Sequence, residues 1–187
     1  MTRLTMTRLM TILCFVLGIG IAATAGPNEV AKGAPVRLLL SEVQAGTMAS
    51  EHYCALVFAD RHFHYERAIR KTGKDRDRKV YEGEFSEAEW NALGGILDSK
   101  EFRELNVPQG VTPLMIEDAH TFTISIARDT KFQNMEFLDN KSRKPYESQL
   151  KPLLGWWKSF RGEHLLKSEA PPDARCSLDS THAVFSH

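Results

Sequence analysis

The chain has 187 residues, of which 24 are Lys or Arg and 24 are Asp or Glu, so its formal charge is zero with histidine neutral. That length suits one domain with a sizeable core and excludes a large multidomain enzyme or a long repeat array. A neutral balance supplies no global field to hold nucleic acid or an anionic membrane, since such binding depends on many unpaired cations.

Residues 1–11 carry Arg3 and Arg8 with no acid, and residues 12–24 form an unbroken uncharged run. The profile predicts a signal peptide over residues 1–25, ending in the small-x-small pattern Ala23-Thr24-Ala25. Such a run falls short of the about 20 apolar residues of a spanning helix, so no membrane span is expected in the mature chain. Cys14 lies inside the run and not behind small residues at its end, which argues against a lipid anchor. A secreted or periplasmic protein is therefore expected. Cleavage after Ala25 leaves 22 basic and 24 acidic side chains and two cysteines, Cys54 and Cys176. An even pair in an oxidising compartment can form a disulfide. The alternative is a reduced Cys54 packed as a small hydrophobe beside Leu56 and Phe58 on the inner face of a strand.

Residues 26–35 read as a flexible lead-in, and residues 36–161 as a single α+β domain. Residues 36–43 predict a first strand and residues 52–59 a second. Asp60-Arg61 predicts a two-residue turn into a third strand over residues 62–71. That turn would set Phe58 against Phe63 and Leu56 against Tyr65, leaving His62, His64 and Glu66 on a solvated face. Residues 73–77 predict a charged hairpin tip and residues 79–85 the next strand, with Tyr81, Gly83 and Phe85 on one side. Ser86 with Glu89 is a capping-box pattern, and Trp90, Leu93 and Leu97 recur at helical spacing behind it. Gly94-Gly95 weakens this helix and permits close approach. Phe102 and Leu105 extend the cover.

Residues 120–128 alternate Phe122, Ile124 and Ile126 with Thr121, Thr123 and Ser125, the clearest strand in the chain. Residues 132–138 predict its partner. Pro145 is expected to open a last helix with Tyr146, Leu150, Leu153, Leu154, Trp157 and Phe160 on one face, and Pro152 to kink or divide it. Residues 162–187, with Pro171-Pro172 and few aliphatics, read as a mobile tail. The expected architecture is an antiparallel sheet of about six strands covered on one face by two helices.

Several stretches together carry a family resemblance: Tyr81-Glu82-Gly83, Ser86-Glu87 with Trp90 and Leu93, Phe102 with Leu105, Asp118 before Thr121-Phe122-Thr123-Ile124, and Leu153-Leu154 before Trp156-Trp157-Lys158. Over roughly residues 36–161 this succession resembles small exported bacterial domains of unknown function. The matching residues support the fold, and the resemblance implies no activity and no functional site.

No phosphate-binding loop, dinucleotide turn, Gly-x-Ser-x-Gly elbow, HExxH helix or paired CxxC occurs in the sequence. His62, His64 and Glu66 are the most chemically suggestive group, because two imidazoles and a carboxylate on one strand face can hold zinc or iron. His120 or His52 would complete such a site. The competing reading is a solvated strand face, and no cofactor is expected. The basic cluster from Arg70 to Lys79 holds no aromatic residue to stack on a base, so a nucleic-acid partner is not expected. Glu101, Glu104, Glu117 and Asp118 read as solvated carboxylates. Trp157 is expected in the core and Trp156 at its edge, where a tryptophan can anchor a partner. The sequence thus predicts a non-enzymatic binding or accessory domain, such as an inhibitor, whose partner is another protein or an envelope component. The alternative is a small metal-dependent hydrolase using His62, His64 and Glu66.

Overall fold

The computed structural model describes residues 33–73, 77–107, 120–163 and 175–182. The signal peptide, its cleavage site and most of the lead-in lie outside the described residues. So do the hairpin tip at 74–76 and the acidic pair Glu117 and Asp118.

Six antiparallel strands form one sheet in the order β4-β3-β2-β1-β5-β6. They are β1 (Val36–Ala45), β2 (Ala49–Phe58), β3 (His62–Lys71), β4 (Asp77–Glu84), β5 (His120–Arg128) and β6 (Lys131–Phe137). The long helices α1 (Glu87–Leu97) and α4 (Glu147–Glu163) both pack on one face. Shorter helical pieces join them to the sheet: α2 (Lys100–Arg103), α3 (Asn140–Arg143) and a 3-10 turn at Lys144–Tyr146. The chain is an α+β domain of the expected class.

Period-two alternation in β1 buries Leu38, Leu40 and Glu42 toward the helices, and in β5 it buries Phe122, Ile124 and Ile126. From α4, Leu150, Leu153, Trp157 and Phe160 close over them. The Ser86 side chain accepts from the Glu89 amide while Glu89 reaches back to the Ser86 amide, so α1 starts where its capping box predicts. Pro145 falls in the 3-10 turn, and α4 begins at Glu147. Pro152 neither divides the helix nor enters the core. It occupies an exposed position in the second turn of α4, where the amide it lacks costs least against solvent.

A register shift between Val36 and Leu38 breaks the β1–β2 ladder. It places Val36 with Leu56 and Phe58 in a separate cluster, while Arg37 reaches α1, 3.2 Å from Asp98 and 4.2 Å over the Trp90 ring. The approach of Arg37 uses the bare Gly94, whose Cβ would lie 3.3 Å from the guanidinium.

Gly83 is opposite Phe63 in the β3–β4 ladder, and an added Cβ there would sit 2.6 Å from the Phe63 ring. That ring is held by Phe85 and Phe160, with centroids 5.0 and 5.1 Å away. Gly83→Ala is therefore expected to destabilise the domain by about 1–3 kcal/mol through overpacking, read from the urea midpoint at unchanged m-value.

Candidate functional site

The β2–β3 connection decides which residues meet. It is a three-residue loop, Ala59-Asp60-Arg61, closed by the Arg61 amide donating to the Phe58 carbonyl at 3.2 Å, with Arg61 at φ 76°. The extra residue moves the pairing one step from the expected register: Val57 lies opposite Phe63, Leu56 opposite His64 and Cys54 opposite Glu66. Directly opposed residues share a face, so His64 and Glu66 join Cys54 and Leu56 on the side away from the helices. They are not solvated, as a two-residue turn would have left them. His64 is fully buried and Glu66 is 6% exposed.

Arg78, two residues before the ladder partner Val80 on β4, grips Glu66 with two bonds, Nε to Oε2 at 3.0 Å and Nη2 to Oε1 at 2.8 Å. His64 Nε2 lies 2.9 Å from Glu66 Oε1, and its Nδ1 lies 3.5 Å from Glu82 Oε1. Burial alone would raise the Glu66 pKa. The hydrogen bonds from His64 and Arg78 and their charges outweigh it and hold the carboxyl down to about 2. Glu66 is thus ionised and held by both partners, and two of the three residues of the alternative metal reading are committed to this buried network.

His62 belongs to a different group. Its Nδ1 lies 3.3 Å from Asp60 Oδ1, while Asp60 Oδ2 lies 2.7 Å from His182 Nδ1. The two imidazoles stack at 3.7 Å with an interplanar angle of 14°. His182 comes from the segment expected to be a mobile tail. Residues 175–182 instead return to the sheet, tied by the Cys54–Cys176 disulfide, the bridge of Thr181 with Pro35, and the His182 amide donating to the Ala34 carbonyl. Cys176 and Leu178 pack on Val36, Leu56 and Phe58, which explains why a strand expected to bury one face buries both at its end. The meeting of Asp60 with His182 is invisible in the sequence because it is made by long-range ties, the disulfide first among them. The available signal was the position of Cys176, six residues before His182.

A second buried carboxylate lies on the helix side. Glu42 Oε2 accepts from Trp157 Nε1 at 2.7 Å and Arg161 Nη1 at 2.8 Å, and Oε1 accepts from Gln44 at 2.8 Å and lies 2.7 Å from His120 Nε2. Burial opposes its ionisation, but the bonds from Trp157, Gln44 and His120 and the charge of Arg161 lower its pKa. This contact anchors α4 to β1. It also accounts for His120, while His52 Nε2 lies 3.1 Å from the Ser41 hydroxyl, so neither joins His62. Glu101 and Glu104 are exposed.

Trp156 is half-buried, stacked on Phe160 at 5.1 Å and 6.1 Å from Phe85. Further along the same helix pair, a groove of about 570 Å³ runs between Ala92, Gly95 and Ile96 of α1, Phe102 of α2, and Gln149 and Pro152 of α4. No helix of the described residues is long and apolar enough to cross a membrane. Compared with known proteins, the chain matches no family model and no curated sequence.

Proposed function

We propose that the chain is an exported, disulfide-stapled domain that binds another protein of the cell envelope as an inhibitor or accessory subunit, using the α1–α4 side. The observation that carries this reading is the groove between the two helices. Its size is that of a site for a few side chains, and its lining is mostly apolar with polar margins at Ser99, Glu101, Ser148 and Gln149, as suits an apolar anchor from a partner segment. Export is supported by the basic, then apolar, amino-terminal sequence and by a cystine of the kind favoured in oxidising compartments. The competing hydrolase would need His64 and Glu66 open to substrate, and both are occupied by Arg78 and burial.

Gly95 offers the test. A Cβ added there meets nothing within 4 Å and Gly95 lines the groove, so Gly95→Trp is expected to fill it. Replacing a helical glycine raises stability by up to about 0.5 kcal/mol, so the variant is expected to fold. Affinity capture from envelope extracts with the mature domain is expected to yield a specific protein that Gly95→Trp loses at least tenfold and that Trp156→Ala retains more weakly. Equal capture by Gly95→Trp, or metal-dependent turnover of a test ester with no captured protein, overturns the reading.

A further inference from the structure

We infer that Asp60, His62 and His182 form a binding site for a divalent ion of the zinc class, which locks the carboxyl-terminal segment onto the β2–β3 loop. This goes beyond the groove reading and does not rest on it, since the three residues lie at the end of the sheet, on the face away from α1 and α4.

The donor set is two imidazoles and one carboxylate, the composition of zinc sites that keep a fourth position for water. One ligand atom from each residue lies within 4.8 Å of the others. An ion with bonds of about 2.0–2.1 Å brings tetrahedral ligands to about 3.3 Å apart, so ligand atoms must close in by up to about 1.5 Å as the ion binds. Asp60 already faces both Nδ1 atoms, one through each oxygen. His62 Nδ1 is shielded from solvent and makes no hydrogen bond, a buried nitrogen facing the carboxylate without using it. An ion supplies the missing partner.

A neutral imidazole that ligates through Nδ1 carries its proton on Nε2. His62 Nε2 lies 4.0 Å from Glu84 Oε2, a carboxylate placed to hold that tautomer after a small approach. An ion lies in the plane of each ring that binds it, so one ring must turn out of the stack. Both side chains are partly exposed, His62 at 34% and His182 at 25%, and one can swing toward water. The disulfide and the Thr181 bridge already bring His182 to Asp60 before any ion binds.

Isothermal titration of tag-free mature protein with zinc chloride is expected to saturate at one ion per chain and to raise the melting temperature. Cobalt is expected to show tetrahedral absorption that zinc displaces. His182→Ala and Asp60→Asn remove a ligand each, and each is expected to weaken binding by more than the roughly 10–100-fold that loss of an outer partner costs. His52→Ala is expected to bind as the parent does. Melting of the ion-free variants near the parent temperature separates ligand loss from unfolding. Parent-like zinc affinity in folded His182→Ala and Asp60→Asn overturns the site, as does a parent chain with no saturable binding. Loss of the groove partner without loss of zinc, or the reverse, distinguishes failure of one proposal from failure of the other.

Discussion

Removing the Cys54–Cys176 bridge is expected to lower the stability of the domain by about 4–5 kcal/mol. The bond spans a sequence separation of 122. Closing a loop of that length removes unfolded-chain entropy worth about 5 kcal/mol in the chain-entropy model, and native bridges in small exported domains commonly contribute 2–5. A second effect adds to the first. The bridge seats Cys176 and Leu178 on Val36, Leu56 and Phe58, and its loss frees the segment that covers them. Since domains of this size are stable by only about 5–15 kcal/mol, the change is a large fraction of the whole. Urea unfolding of the parent with and without reductant, and of Cys54→Ala/Cys176→Ala, is the measurement. Alanine avoids burying a new hydroxyl at Cys54, which is 2% exposed. A loss below about 1 kcal/mol in both comparisons would contradict the chain-entropy contribution assigned to the bridge.

Arg78→Met is expected to cost about 3–5 kcal/mol at neutral pH, the usual effect of stripping one partner from a buried ion pair. Glu66 would remain ionised and enclosed, with only His64 facing it. The same carboxylate sets the acid limit of the parent. Its folded pKa is lowered from an ordinary 4.5 to about 2. A group with a depressed folded pKa contributes its full stabilisation above the unfolded value and loses it as pH falls through the folded one. About 3 kcal/mol should therefore disappear between pH 4.5 and pH 2. The side chain is only 8% exposed, so solvent screening removes little of it. Glu42, whose pKa is also lowered, adds to the loss in the same direction. In Arg78→Met the Glu66 pKa rises and its share of the acid limb shrinks. The double variant Glu66→Leu/Arg78→Met should recover most of the neutral-pH loss, because an apolar pair leaves no charge uncompensated. Denaturant midpoints from pH 2 to pH 7 for the three proteins test all of this. An acid limb in Arg78→Met identical to that of the parent would contradict the assignment.

Local pattern was enough for most of the secondary structure. Alternation along β5 and the capping box at Ser86 each express forces that act within a few residues, and both are found where the sequence places them. The helical face of Leu150, Leu153, Trp157 and Phe160 is read the same way, because each of these side chains repeats at the pitch of the helix it stabilises. The pair Cys54 and Cys176 was visible as an even count, but not as a bond, since counting carries no geometry.

The candidate sites needed the fold. Arg61 adopts a left-handed backbone that glycine or asparagine would have announced, and that one residue moves His64 and Glu66 from an expected solvated face to a buried one. Nothing near Glu66 in sequence marks Arg78, which reaches it only through the β3–β4 register. Asp60 and His182 stand more than a hundred residues apart, in a loop and in a segment too polar to order itself. Thus the sequence by itself determined the strands, the helices and the buried faces of β1, β5, α1 and α4, since those follow from hydrophobic period and local capping. Tertiary structure alone decided which polar groups meet, because a turn conformation, a strand register and a covalent bond across the chain act at distances that no local pattern encodes.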